Sequence, residues 1–246
     1  MEREARGVTE MKEKVYIIAA HMVNSLGFST EEVAAAMKEL RSGCRLVTGY
    51  SDATTPAILG LVDKPAFQEK YNAIAPQRDF TFFEQLMIFS IQSALNQTNI
   101  DPKNSRVLFL FSTTKGNIEL LEHPHHDKER IHIWKSAQMV SQYFENPNTS
   151  LVISNACISG TQAIIVAKQL LTVGHYEHIV VCGADCISKF VVSGFQSFKA
   201  LSTQICKPFD SGRDGLNIGE GAATMILSMK EENSEFVEVF SGASAN

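Results

Sequence analysis

Residues Leu151–Gly160 read LVISNACISG, and Thr161–Val173 continues as a nearly unbroken apolar run that closes at Gly174. A short β-type stretch ends at Ser154, small residues follow, and a helical pattern begins after Gly160. Cys157 therefore sits on a strand-to-helix turn, at a helix N-terminus. Unpaired backbone N–H groups and the positive end of the helix dipole favour a thiolate over a thiol at such a place. Ala156 and Gly160 keep the turn uncrowded, so a carbonyl group could approach the sulfur. These are the physical requirements of a nucleophilic cysteine. The competing interpretation is a small buried core residue, the usual fate of a cysteine among apolar neighbours.

The chain around this turn alternates strand and helix. Lys14–Ala20 (KVYIIAA), Arg106–Phe111 (RVLFLF), Ser150–Ser154, His178–Gly183 (HIVVCG) and Ala222–Met229 (AATMILSM) read as buried strands, and Glu235–Phe240 as the start of another. His21–Gly27 reads as a turn. Ser29 or Thr30 caps a first helix, which carries Glu31 and Glu32 in its first turn. Thr81–Thr98 and Ile131–Phe144 have helical periods, and 158–173 is the helix after Cys157. Residues 44–76 have no clear period and contain Pro56, Pro65 and Pro76; they read as an irregular insertion with one helical turn near Pro65–Tyr71. Residues 1–13 read as a flexible charged tail and 14–246 as one domain. Strands alternating with helices imply an α/β fold, with a five-stranded, mostly parallel sheet carrying helices on both faces. The helix after Cys157 is apolar on almost every side, which predicts burial on both sides.

Composition narrows the function. The 246 residues are 44% hydrophobic and carry a net charge of −5, with no basic stripe to neutralise phosphates, so a nucleic-acid partner is not expected. No apolar stretch is long enough to span a membrane, and the charged N-terminus lacks a signal-peptide core. The five cysteines stand at 44, 157, 182, 186 and 206. Cys182 and Cys186 are spaced CxxxC, without a second pair. Reduced thiols in a cytoplasmic protein are expected, rather than disulfides or a zinc site.

A second motif lies downstream. Lys207–Ala222 reads KPFDSGRDGLNIGEGA. It resembles the Pro-Phe-Asp, Arg-Asp-Gly, Gly-Glu-Gly-Ala signature of the β-ketoacyl-[acyl carrier protein] synthases, and NACISG resembles that family's nucleophile turn at the spacing the family shows. Met22–Gly27 and Phe28–Gly43, ending in Arg-Ser-Gly, are similar to its first loop and helix. The resemblance covers the chain from about Val15 onward. It implies a thiolase-like βαβαβαββ half, which in the family stacks on a second, similar half. The helix after Cys157 would then lie in the middle layer. It also implies dimerisation, as a homodimer or a ketosynthase heterodimer, through the edge strand Ser150–Ser154.

The reaction so implied is a decarboxylative Claisen condensation of acyl and malonyl thioesters of acyl carrier protein, as in fatty-acid or polyketide-type synthesis. Cys157 is the catalytic residue, and no cofactor or metal is implied. The family's two active-site histidines and its lysine lie in its second half, so this chain reads as an N-terminal part that does not condense alone. His21 and Asn217 depart from the family, which usually has a glycine and an apolar residue there. Two alternatives stand beside this: a non-catalytic, chain-length-factor-like partner subunit, which would not need Cys157, and a thiolase-fold acyltransferase that uses coenzyme A thioesters.

The remaining candidates weigh less. His175 and His178 are at the far end of the helix, on the order of 25 Å from Cys157 at about 1.5 Å per residue. His21 ends the first strand on the same sheet edge as Cys157, but reads as structural. His123, His125, His126 and His132 include ligand types for a metal, yet read as a solvated loop. Asp210, Arg213 and Asp214 suit a hydrogen-bonded loop, and Glu220 a buried, paired carboxylate. The glycine-rich loop leads into a strand, which argues against a phosphate cradle. Phe195 and Phe198 read as core, with an acyl-pocket wall as the alternative.

Overall fold

A computed structural model describes residues 14–50, 56–75, 79–123, 127–230 and 237–244. The expected tail 1–13, Pro76, His125 and His126 lie outside them. Among the described residues there are nine strands: β1 (Tyr16–Asn24), β2 (Cys44–Val47), β3 (Ala57–Gly60), β4 (Val107–Ser112), β5 (Leu151–Ile153), β6 (His178–Asp185), β7 (Ile218–Gly219), β8 (Gly221–Ser228) and β9 (Val237–Glu238). Six α-helices lie between them: α1 (Thr30–Lys38), α2 (Lys64–Ile74), α3 (Phe82–Leu95), α4 (Ile133–Tyr143), α5 (Ser159–Thr172) and α6 (Lys189–Ser197).

The main sheet has the order β5-β4-β6-β8-β1-β9. All five strands expected from the sequence are in it, and β9 adds a sixth. Strands β5, β4, β6 and β1 point one way, while β8 and β9 run against them. Every residue of β4 (VLFLFS) is buried, because this central strand is covered on both faces, which is why it reads as an unbroken apolar run. Phe109, Phe111, Val180 and Cys182 turn to one face, against α3 and α4. Leu108, Leu110, Ile179 and Val181 turn to the other, against Ala163, Ala167 and Leu171 of α5.

Three expectations are corrected. The strand expected to stop at Ala20 continues through Asn24, because β1 pairs with β8 down to Asn24 opposite Gly221. The described part of 44–76 is not irregular: β2 and β3 form a second, three-stranded sheet with β7, and α2 runs for 11 residues. Asp63 caps α2 through Ala66 N at 3.2 Å, with Pro65 in its first turn, where a missing N–H costs nothing. These strands are too short to show a period, and β3 pairs with β7, whose Ile218 stands opposite Leu59.

The third correction concerns the helix after Cys157. Ser159, Ala163, Ala167 and Leu171 of α5 are buried, whereas Ile164, Ile165, Val166 and Leu170 are half-buried. Within the described residues their cover is the segment that follows β9. Lys168 Nζ donates to the carbonyls of Val239 and Phe240, both at 2.6 Å, and a Cβ on Gly242 would stand 2.6 Å from Ile165 Cγ1. The most enclosed helix is instead α3, ten of whose residues are buried. Among the described residues no helix is long and apolar enough to cross a membrane.

Candidate active site

Cys157 lies in a single 3₁₀ turn, Ala156–Ile158, between β5 and α5, and it is exposed. That removes the buried-core alternative. Ala156 adopts φ +44°, a left-handed conformation that is uncommon for a residue with a Cβ and that turns the chain sharply between strand and helix. The turn is braced from below. Ser159 Oγ accepts from Asn155 N at 2.9 Å and donates to Ala156 O at 2.7 Å.

The turn opens into a cleft of about 400 Å³, which runs across the carboxyl ends of β4 and β6. Open sheets of this kind gather ligands there. Its lining includes the small apolar residues Ala184, Ala222 and Ala223 together with Met22. It also includes the polar residues Ser112, Thr113, Thr114 and Asp185. Asp185 Oδ1 accepts from Thr113 Oγ1 at 3.0 Å, Thr114 N at 3.1 Å and Thr114 Oγ1 at 2.9 Å. Lys115 Nζ donates to Thr114 Oγ1. The sequence marked 112–117 as a polar loop at a strand end, but nothing local to it named Asp185 as its anchor.

The other thiols do not compete from the interior. Burial pushes Cys182 up to about 12 and raises Cys186 well above the ordinary thiol value. Cys44 is half-buried and also raised by burial. All five cysteines are free.

The glycine-rich signature forms a hydrogen-bonded loop. Asp210 Oδ1 accepts from Gly212 N at 2.6 Å, and Asp214 accepts from Ser202 Oγ at 2.6 Å and Thr203 Oγ1 at 3.2 Å. Gly215, at φ +159°, could not carry a Cβ, which would meet Ser202 N at 2.6 Å. Asn217, at a position where the resemblance implies an apolar side chain, accepts from Cys206 N at 2.8 Å and donates to Gln204 O at 3.1 Å, clamping the loop crosswise. Glu220 is buried and accepts from Val62 N at 3.1 Å and Ile187 N at 3.2 Å, joining the two sheets. Burial raises its carboxyl above the usual range, against the pull of those two N–H groups. Phe198 is 82% exposed, so the core expectation fails for it, and Phe195 is half-buried.

The described histidines do not line the cleft. His123 and His132 are exposed, and among the described residues no group of three or more His, Cys, Asp or Glu is placed to hold a metal. His178 is buried at the start of β6, the end away from Cys157. His21 is buried on the α3 side of β1, with Nε2 2.9 Å from Phe28 O and its ring edge-on to Phe89. Burial lowers its pKa, with the Phe28 carbonyl acting in the opposite direction. The folded state therefore binds this proton less readily than the unfolded chain, whose histidine titrates near 6.5. Stability should fall as pH drops below about 6.5. Urea midpoints between about pH 7 and 5.5 should decline in the parent and decline less in His21→Gln; equal slopes would mean that His21 does not carry this dependence.

Comparisons with known proteins agree with this geometry. The model of the β-ketoacyl synthase N-terminal domain matches residues 12–233. The 3-oxoacyl-[acyl-carrier-protein] synthase 2 of Vibrio harveyi is 27% identical over 250 aligned positions, covering 89% of this chain and 59% of that protein. A Schizosaccharomyces pombe protein described as a mitochondrial 3-oxoacyl-[acyl-carrier-protein] synthase is 25% identical over the same share of each chain. The chain thus spans about three fifths of these relatives. Among solved structures, a ketosynthase in complex with its chain length factor from Xenorhabdus doucetiae matches with a TM-score of 0.73 at 21% identity, over 89% of this chain and 59% of that one. A β-ketoacyl synthase from Burkholderia phymatum matches at 0.68 and 22%, over 88% and 59%. At these identities the structural matches speak for the fold, which is the thiolase-like ketosynthase fold. With a family model matched over nearly its whole length and the fold to go with it, the chain belongs to the β-ketoacyl synthase family, as its N-terminal domain.

Proposed function

We propose that residues 14–246 form the nucleophile-bearing half of a β-ketoacyl-[acyl-carrier-protein] synthase and that Cys157 is its acyl acceptor. The observation that carries this is the exposure of Cys157 on a strained turn, at the mouth of a cleft and directly before α5. In the first step the Cys157 sulfur attacks the carbonyl carbon of an acyl-carrier thioester. The carrier's sulfur leaves and takes the cysteine proton, and an acyl-cysteine remains. The Cys157 backbone N–H is the proposed first donor to the oxyanion of this step. In the second step a malonyl-carrier thioester loses carbon dioxide, and its carbanion attacks the acyl-cysteine, releasing the Cys157 sulfur. That step needs groups that stabilise an enolate. No histidine of this chain's described residues lines the cleft, so we assign those groups to the portion of the relatives with which this chain does not align.

Carrier-bound thioesters are the proposed substrates, in line with the names of the curated relatives. The proposed partner is a second ketosynthase-type subunit, identical or not. Among the described residues the edge strand β5 pairs on one side only, with β4, and its other side is the proposed meeting edge. Two solved neighbours are described as ketosynthase and chain-length-factor pairs. Retention of an exposed Cys157 favours the catalytic member of such a pair over the inert one. The five free thiols support a reducing compartment, proposed here as the cytoplasm; the S. pombe relative carries a mitochondrial description.

Intact-mass spectrometry tests the first step. Incubation with an octanoyl-[acyl carrier protein] thioester should add one acyl group per chain, and Cys157→Ala should add none. An equal adduct on the variant, or no adduct on a folded parent, would contradict the assignment.

A further inference from the structure

We propose that Gln162 is a positioning residue for Cys157: by holding the Asn155 side chain it ties the strained nucleophile turn to the body of α5. This assignment rests on the reading of Cys157 as the acyl acceptor and names the residue that keeps the acceptor in place.

The turn forms without the usual capping side chains. Neither the 3₁₀ turn Ala156–Ile158 nor α5 receives a side-chain hydrogen bond from its N-cap residue. Most of the bonds that close the turn stay within it or end on the first residue of the helix. Ile158 N donates to Asn155 O at 3.1 Å, and Ser159 Oγ bridges Asn155 N and Ala156 O. One bond reaches deeper: Asn155 Nδ2 donates to Gln162 Oε1. Gln162 is the fourth residue of α5. The next residue, Ala163, is fully buried in one cluster with Leu108 and Leu110 of β4. Gln162 therefore extends from backbone that the core fixes.

Asn155 and Gln162 bracket Cys157 in the chain. Ala156, between Asn155 and Cys157, stands at φ +44°. A residue with a Cβ stays in that region only when its surroundings hold it there. No hydrogen bond holds the Cys157 thiol among the described residues, so the place of the sulfur follows the backbone of the turn. Release of Asn155 then acts on the sulfur in two ways. It lets the thiol drift from the N-terminus of α5, whose N–H groups favour the thiolate. It also loosens the alignment of the sulfur with a thioester carbonyl in the cleft, and small misplacements of a nucleophile cost rate steeply.

The test is alkylation of Cys157 by iodoacetamide in the 246-residue chain, read by peptide mass mapping from about pH 6 to about pH 10, beside loading from octanoyl-[acyl carrier protein] over a range of carrier concentrations. Gln162→Leu should slow alkylation at neutral pH by up to about fivefold and move its midpoint to higher pH. It should lower the maximal loading rate about tenfold and leave the half-saturating carrier concentration unchanged. Asn155→Ala breaks the same bond from the other end and should act alike, so a Gln162→Leu chain that fails to fold does not leave the question open. The double variant should be no slower than either single one, because all three lack one bond. A parent-like alkylation profile in the single variants, a parent-like maximal loading rate, or single effects that multiply in the double variant would each overturn the proposal. A parent that takes no acyl group, with slower alkylation in the variants, would remove the acyl acceptor and keep the positioning role. A parent that is acylated, with alkylation profiles that do not differ, would do the reverse.

Discussion

Arg130→Met should lower the unfolding free energy by about 3–5 kcal/mol, the range for removing one partner of a buried ion pair. Arg130 NH2 pairs with the Glu84 carboxylate, and their side chains are 7% and 0% exposed. Glu84 closes a capping box at the start of α3: Thr81 N donates to its Oε2 at 3.0 Å, and Glu84 N donates to Thr81 Oγ1 at 3.3 Å. Asn117 ties the same knot, donating to Glu84 Oε1 at 3.0 Å and Ser136 Oγ at 2.8 Å while its Oδ1 accepts from Thr81 Oγ1 at 2.7 Å. Without the guanidinium, a carboxylate with no counter-charge remains inside the protein. Adding Glu84→Leu to Arg130→Met should recover part of the loss, since the charge is then gone with its partner. Denaturant melts of the three variants check this, and a harmless Arg130→Met would refute it. The effect reaches the cleft, because Asn117 ends the loop whose Thr113 and Thr114 line it.

Gly221→Val should be nearly as severe, at about 3 kcal/mol or more. Gly221 stands in β8 between Asn24 of β1 and Asp185 of β6. A Cβ there would meet Val23 O at 2.4 Å and Asn24 Cβ at 3.0 Å. The first obstacle is backbone in a paired strand and has little room to yield, so the strands must part. Val23, Asn24 and Asp185 all line the cleft, so the acyl adduct should fall along with the melting temperature. Gly194→Ala is the matched control. It lies inside α6, where a new Cβ meets nothing within 4 Å, and alanine should be neutral or stabilise by about 0.5–1 kcal/mol. Similar losses at both glycines would mean that close approach is not what Gly221 provides.

What could be read from the sequence was what is local and periodic. The strands β4 and β6 are apolar runs bounded by turn residues, and α3 and α4 have a 3.6-residue period. The turn holding Cys157 was legible because strand, small residues and helix follow one another directly. The second sheet was not, since β2, β3 and β7 are two to four residues long and meet across the chain, Leu59 opposite Ile218. Nor could spacing alone pair Glu84 with Arg130, 46 positions apart, or bring Asp185 to Thr113 and Thr114 across 72 and 71. Those are tertiary arrangements of polar groups, for which a single sequence has no periodic signature. The apolar excess of α5 reads as a demand for cover, which the described residues meet only in part. What its outer face meets among the described residues is the short stretch after β9.

The central claim is that one thiol of five is the acyl acceptor. Cys157 is exposed, Cys182 and Cys186 are buried, and Cys44 and Cys206 lie between. Proteolysis of the chain after incubation with octanoyl-[acyl carrier protein], followed by peptide mass mapping, measures where the acyl group resides. The account predicts that the octanoyl mass is on the peptide containing Cys157 and that it is lost on treatment with hydroxylamine at neutral pH, as a thioester should be. Octanoyl groups spread over the peptides of Cys44 and Cys206, or held on lysines as amides, would contradict it.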